Sequence, residues 1–495
     1  MNQIIGLDIG TNSVKAMMLA EGKILGQTSV GYNPDYLGDG FVEQDPGVWW
    51  DATCQALRDI TTAHPGHVAA IAASGQMHSS VFLDEAGNVV RNAILWNDTR
   101  TTPQVAQIVK AAEGESALLK MVYNRALEGF TLPKILWLRD NEPANFDRVR
   151  KVIMPKDYIN YRLTGRIATD ASDGAGTMLL DVPNRKWSAE LLAKVGLSAD
   201  LLPEVLESVD VVGKVQPDMA AKLGLSPETL VIAGGADNSC AAIGNGATQV
   251  GQTIVSIGTS GTVVTMLDKV PGDITGDVHL FNYSYPGKFY AMGCMLCAGE
   301  SLNWLRGIVQ VTDFDEFNIL AEQAAPGAGG VIFLPYLFGE RCPYPDPAAK
   351  GVFFGLSNTT TRADMVRAVM EGVAYNVRAM YEMVAEFTPI TDIYITGGGA
   401  KSDIWGRIIA SALGRPITVL NIEEGPAFGA ALIAGVGAQL FTDFDAAKAQ
   451  FLKTDRIIEP DCNPVYQQQF ETFKKLYHAN RELLVEIFRR DIYET

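Results

Sequence analysis

"QIIGLDIGTNSVKAMML", residues 3–19, places two apolar stretches on either side of a Gly10-Thr11-Asn12-Ser13 turn. Asp8 falls near the end of the first stretch, where a carboxylate is costly unless a cation or strong donors meet it. Half a chain later, "TIVSIGTSGTVVTML" (253–267) repeats the arrangement around Gly258-Thr259-Ser260-Gly261. Glycine at such a bend allows positive φ and close backbone approach, and hydroxyls beside it can bond to a ligand. Two similar hairpins half a chain apart predict two similarly built domains that face each other.

The rest of the chain extends this reading. At 495 residues it is too long for one ordinary core. The expected division is 1–246 and 247–495, just ahead of the second hairpin. Short strands that run into glycines, "HVAAIAASG" (67–75), "TLVIAGGAD" (229–237) and "ITDIYITGGG" (390–399), alternate with helical stretches. The helix at 45–60 opens with Asp45 as N-cap and Pro46 at its first position. Residues 362–384 have apolar side chains at helical spacing, and 463–490 read as a long amphipathic helix. A hairpin with its turn at Gly87-Asn88 is expected over 80–96. Interleaved strands and helices give an α/β fold class.

Composition narrows the function. The net charge is −17, from 57 acidic against 40 basic residues. That argues against a nucleic-acid binder, which needs a basic surface, and leaves a small phosphorylated ligand open. The weakly polar run at 427–440 is too short and glycine-rich to span a bilayer, and no secretion signal is read at the N-terminus. A soluble, cytoplasmic protein is expected, and six scattered cysteines suit reduced thiols. Cys294-x-x-Cys297 has metal-like spacing without a second pair, so packing is the expected role. The small residues of "EGPAFGAALIAG" (424–435) predict a closely packed helix, placed near a nucleotide base.

Neither G-x-x-x-x-G-K-[ST] nor a strand followed by G-x-G-x-x-G occurs. Amides of the two repeated turns could hold phosphates instead. Asp8 and Asp237 both end apolar strands, and strand C-termini face the ligand crevice in α/β layers. Two such acids suit phosphoryl transfer, one at a metal ion and one accepting the proton of an attacking hydroxyl. Each could equally cap a turn or helix.

At these residues the sequence resembles the FGGY carbohydrate kinases. "GFTLPKILWLRDN" (129–141) and "GVFFGLSNTTTRADMVRAVME" (351–371) look like the two family signatures. "SGQMHSSV", "LWNDTR", "MPKDYINYRLTG", "DASDGAGTM", "GGADNS", "SIGTSG", "LPYLFGER" and "GGGAKSDIW" match as well. "GQMH" and "LWNDTR" are most similar to the branch acting on xylulose. The resemblance implies two ribonuclease-H-like, actin-like ATPase domains hinged around a central cleft. It implies ATP-dependent phosphorylation of a ketose, D-xylulose to D-xylulose 5-phosphate, with ribulose, L-xylulose or a polyol as alternatives. Asp237 would be the general base, and Asp8 would hold Mg²⁺ through ATP. Met77, His78, Asn238, Trp96, Asp98 and Arg100 would contact sugar. Thr11, Asn12, Gly258, Thr259, Gly398, Gly399 and Ser402 would contact ATP. "GERCPYPDP" (339–347) departs from the family at Cys342, where threonine is commoner. Homodimers occur in the family. A non-kinase actin-like ATPase would share the hairpins and both acids, but not a sugar pocket at Met77-His78 and Trp96.

Overall fold

The computed structural model describes residues 2–272, 274–422 and 425–493. The first hairpin forms β1 (Asn2–Ile9) and β2 (Ser13–Ala20) at the middle of a six-stranded sheet. With β3 (Lys23–Gly31), β4 (His67–Gly75), β5 (Val211–Lys214) and β6 (Leu230–Ala236), its order is β5-β6-β4-β1-β2-β3. Strands β1, β4 and β6 run parallel, and the β1-β2-β3 meander is antiparallel.

The second hairpin, β7 (Thr253–Ile257) and β8 (Gly261–Leu267), holds the same place in a seven-stranded sheet. β9 (His279–Asn282), β10 (Phe289–Met295), β11 (Ile393–Thr396), β12 (Ile417–Leu420) and β13 (Thr454–Ile458) complete the order β9-β10-β8-β7-β11-β12-β13. Here too the hairpin and β10 are antiparallel, and β11 and β12 continue in parallel. The two turns even close alike: Gly10 N donates to Ser13 O at 3.0 Å, and Gly258 N to Ser260 O at 2.9 Å.

Strand alternation explains why Asp8 is where it is. Ile5, Leu7 and Ile9 point to one face of the first sheet, where they pack with Trp49 and Leu57 of α1 (Pro46–Ala63) and with Ile159. Asp45 caps α1 by accepting from Gly47 N, and Trp49 and Trp50 are core. Ile4, Gly6 and Asp8 share the opposite face, which meets a helix from the second half of the chain.

The other helices that matter are α2 (Thr131–Asn141), α3 (Pro155–Thr164), α4 (Ala171–Ala175), α5 (Asp237–Gly244), α6 (Arg362–Ala385), α7 (Asp403–Leu413), α8 (Pro426–Gly437) and α9 (Val465–Tyr493). It is α8 that covers the Gly6 face of β1. A Cβ on Gly6 would lie 1.9 Å from Ala427 O, one on Gly429 1.8 Å from Cys240 O, and one on Gly244 2.3 Å from Gly425 O. Glycine therefore lets α8 lie directly on β1 and α5 at backbone distance. The helix predicted from "EGPAFGAALIAG" packs closely, as expected, against β1 and the helix headed by Asp237, and Gly425 and Pro426 at its start line a cavity. Glu424, at its start, lies outside the described residues.

The hairpin expected over 80–96 forms with irregular pairing: Ser80 bridges Ile94 and Leu83 bridges Val89, both antiparallel, and Val90 N donates to Phe82 O at 2.8 Å. Asp84 does close a local turn, accepting from Ala86 N and Asn88 N, with Gly87 at φ 78°. Each arm also pairs outward, Val81–Leu83 with Lys151–Ile153 and Ala93–Ile94 with Phe41–Gln44. All six cysteines are free thiols. Among the described residues no helix is long and apolar enough to cross a membrane.

Candidate functional site

Three parallel strands end together, and each delivers part of the site. β1 leads into Asp8, Gly10 and Thr11, β4 into Gln76, Met77 and His78, and β6 into Asp237 and Asn238. Short bonds tie the ends: Gln76 N donates to Ile9 O at 2.9 Å, and Tyr32 Oη to Gly10 O at 2.6 Å.

Asp237 heads α5. Its Oδ1 accepts from Asn238 N at 2.6 Å and from Asn238 Nδ2 at 3.0 Å, and Nδ2 also points at Met77 Sδ, 3.6 Å away. Burial, then the negative charge of Asp8, push the Asp237 carboxyl up to about 7. A carboxyl that is half ionised at neutral pH suits a general base.

His78 has φ 68°, a left-handed conformation that its neighbours enforce. Its carbonyl accepts from Thr131 Oγ1 at 3.0 Å and Lys134 Nζ at 2.9 Å, and Phe130 packs edge-on against the ring. Nδ1 lies 2.5 Å from Gly176 O, so Nδ1 carries the proton, because a carbonyl can only accept. Burial pushes the imidazole down to about 3, so the ring is neutral. Nε2 is then the acceptor nitrogen.

Trp96 is 38 % exposed and crosses to the phosphate-turn side, where Nε1 donates to Thr11 Oγ1 at 2.9 Å. Asn12, in the same turn, is exposed. Asp98 and Arg100 lie behind Trp96, both buried. Arg100 pairs with Asp98 and with Glu43 at 2.7 Å, and Asp98 Oδ2 accepts from Val42 N at 2.6 Å. Arg100 also lies 3.9 Å over the Phe41 ring. Their donors and acceptors are spent on holding the loop that carries Trp96.

In the second half, Gly258 O accepts from Gly299 N, and Thr259 O from Ala298 N and Glu300 N. Gly397 and Gly399 press on the end of β7: a Cβ would stand 2.6 Å from Ile257 O at the first and 2.4 Å from Ile257 Cγ2 at the second. Gly398 has no such neighbour, its nearest contact being 3.9 Å. Ser402 caps α7, accepting from Trp405 N and donating to Asn318 Oδ1 at 2.6 Å. A cavity of about 290 Å³ runs from Asn238 past Thr262 to Thr396 and Gly397. A second of about 250 Å³ shares Asn245, Thr396 and Gly397 and continues to Lys401 and Arg456.

Sequence reasoning missed the residues that hold the site. Thr131 and Lys134 lie inside the stretch 129–141, yet their bonds to His78 O span more than fifty residues. Gly176 and the buried Lys156, Asp170 and Ser172 gave only a motif match. Cys294 is half-buried in β10 and Cys297 buried just before residue 299.

Residues 3–244 match the N-terminal domain of the FGGY family of carbohydrate kinases, and 253–438 match its C-terminal domain. A xylulose kinase of Bacillus subtilis (strain 168) is 38% identical over 491 residues, covering 98% of each chain. Two solved structures from Lactobacillus acidophilus share the fold at 28% identity. A ligand-bound xylulose kinase superposes with a TM-score of 0.93 over 98% of this chain and 100% of that one. A gluconate kinase does so at 0.89 over 97% and 98%. On these matches over nearly the whole chain, the protein belongs to the FGGY family of carbohydrate kinases, with that family's two-domain, actin-like fold, and is a sugar kinase.

Proposed function

We propose that the enzyme transfers the γ-phosphoryl group of ATP to the terminal hydroxyl of a ketose, D-xylulose above others, giving D-xylulose 5-phosphate and ADP. The observation that carries the reading is the place of Asp237. A carboxyl held near neutral pKa is bonded to Asn238, whose amide points at Met77 Sδ and which lines the cavity of about 290 Å³.

Asp237 takes the proton of the sugar hydroxyl as its oxygen forms a bond to the γ-phosphorus and the bond to the β-phosphate oxygen breaks. The proton then leaves the carboxyl for solvent after release. His78 Nε2 accepts from a second hydroxyl, and the Asn238 amide and Trp96 fix the sugar's remaining edge. Asp98 and Arg100 act from behind, through the Trp96 loop. Nucleotide occupies the run of cavities, its phosphates between the Thr11-Asn12 and Gly258-Thr259 turns and its nucleoside toward Gly398, Gly399 and Ser402.

Among the described residues no group of three or more His, Cys, Asp or Glu side chains could hold a metal ion alone. Mg²⁺ that arrives with nucleotide needs only one or two carboxylates beside the phosphates, and Asp8 fits that donor set. Bound there, the ion would offset charge on the phosphates.

Fold does not choose the sugar, since the gluconate and xylulose kinases superpose comparably. The wall residues do, and the B. subtilis relative supports xylulose. The test is a coupled assay of Mg²⁺–ATP turnover across ketoses, aldoses and polyols. A kcat/KM for D-xylulose far above the rest supports the reading. Preference for another sugar overturns the substrate, and turnover indifferent to sugar overturns the mechanism.

A further inference from the structure

Strand β6 does not run smoothly into the base. Its register against β4 shifts between Ile232 and Gly235, and Gly234 has φ 74°. A Cβ on Gly234 would stand 1.9 Å from Ala73 O, so the bulge presses on the neighbouring strand. Such bulges re-aim the side chain that follows, and here that side chain is Asp237.

Both shoulders of the bulge are gripped from one buried network. On the near side, Asn160 Nδ2 donates to Ala233 O at 2.9 Å, and Lys156 Nζ approaches the same oxygen at 3.5 Å. On the far side, Ala236 N, one peptide before the base, donates to Ser172 Oγ at 3.0 Å. Ser172 Oγ donates a hydrogen bond to Asp170 Oδ2 at 2.5 Å and shares a 3.0 Å bond with Ser284 Oγ from the second half. That is one donor and two acceptor sites, the full capacity of a hydroxyl.

Asp170 is fully buried and equally engaged. Oδ2 also accepts from Ser208 Oγ at 2.7 Å and Ser172 N at 2.9 Å, while Lys156 Nζ lies 2.8 Å from Oδ1. Burial alone would neutralise Lys156, but Asp157 at 2.6 Å and Asp170 hold it protonated. Gly235 leaves the space: a Cβ there would lie 2.1 Å from Ser284 Oγ and 2.9 Å from Ser172 Oγ. A buried ion cage is weak evidence for stability as such. This one is joined through a single hydroxyl to the peptide that aims Asp237.

We propose that Ser172, anchored by Asp170 and Lys156, is a positioning residue that holds the Gly235–Ala236 peptide, and through it the Asp237 that follows, in line for proton abstraction; this rests on the reading of Asp237 as the base. Ser172 touches neither substrate. It acts through the backbone, so its loss should lower kcat and leave the KM values for sugar and ATP alone.

The test compares Ser172→Ala, Ser172→Thr, Ser284→Ala and Asp237→Asn in the full chain, using Mg²⁺–ATP and the best sugar of the panel. Steady-state constants, a pH profile and thermal melting are read for each. Ser172→Ala should lose about tenfold to a hundredfold in kcat, the scale of a small misplacement of a reacting group. Both KM values should stay within about twofold, and Ser172→Thr, which keeps the hydroxyl, should recover most of the loss. Ser284→Ala touches only the outer bond and should stay near wild type. Should Ser172→Ala not fold, Ser172→Cys, similar in size and a weaker acceptor, carries the same expectation. A folded Ser172 variant with wild-type kcat, or one that raises KM alone, overturns the proposal. If Asp237→Asn keeps full activity, the base reading falls, whatever Ser172 does.

Discussion

Trp96 Nε1 donates to Thr11 Oγ1 at 2.9 Å, joining residues 85 positions apart in sequence. One belongs to the wall assigned to sugar, the other to the turn assigned to phosphate. The same loop is braced from behind by the buried Asp98–Arg100–Glu43 group and from below by Trp96 N on Ser79 Oγ at 3.1 Å. On the proposed assignment, sugar arriving at the indole would be felt at the phosphate turn.

Trp96→Phe keeps an aromatic ring at the wall and removes the N–H together with part of the indole's area. We expect the KM for sugar to rise about threefold to tenfold, the range for one neutral hydrogen bond. The ratio of ATP turnover with sugar to that without should fall as well, since water replaces the sugar hydroxyl more readily in a poorly closed site. An unchanged ratio with a raised KM would mean that the bond serves sugar binding alone.

Asp237 titrating near 7 and His78 near 3 separate two residues that a pH profile could otherwise confuse. The base must be ionised to accept a proton, so kcat/KM should fall with one proton as pH drops through about 7. His78 stays neutral over that span and contributes no limb. His78→Asn should weaken sugar binding about tenfold, yet keep the same acid limb. Loss of the limb in that variant would assign the titration to the histidine.

The legible parts of the molecule were the local ones. Gly10-Thr11 and Gly258-Thr259 sit between β-branched runs, and a turn residue flanked by strand residues is encoded within a dozen positions. Both hairpins, the strand at 67–75 and the capped helix at Pro46 followed from that alone. What escaped was pairing over distance. Asp98 and Arg100, read as sugar contacts, turn inward to each other because Glu43 and Val42 arrive from a strand fifty residues earlier. The arms around Gly87 do bridge each other, as the turn predicts, but their outward pairing with Lys151–Ile153 and Phe41–Gln44 is not encoded in that turn. Lys156 and Asp170 fall in two separate family-like stretches, and only the fold shows them buried together.

Asp237 should also cost the unliganded protein stability. Its folded pKa lies above the unfolded value of 3.8, so the folded state binds the proton more tightly. The penalty is absent below the unfolded pKa, grows as pH rises toward 7, and is fully present above it. Asp237→Asn removes the charge at similar size. We expect it to melt a few degrees above wild type at pH 8 without ligand, with the difference vanishing at pH 4. Equal melting at both values would show that the ionised carboxylate is well solvated in the open cleft.

The joint between the two halves gives the last expectation. Gly429 sits in α8 with the carbonyl of Cys240, in α5, 1.8 Å from where its Cβ would be. Both sides are backbone, so Gly429→Ala cannot be absorbed by a rotamer change and must part the helices. Overpacking of this kind costs about 1–3 kcal/mol, occasionally more. Because Asp237 is the first residue of α5, kcat should fall together with Tm. Gly307→Ala is the counterpart: it lies in the helix Gly299–Val309 with nothing within 4 Å of the added carbon. There the change should stabilise by about 0.5–1 kcal/mol through helix propensity, with activity unaltered. Differential melting and kcat of the two variants decide the matter. If Gly429→Ala behaves like Gly307→Ala, the two helices have slack at their crossing, and the glycines are not what hold the base to the second half.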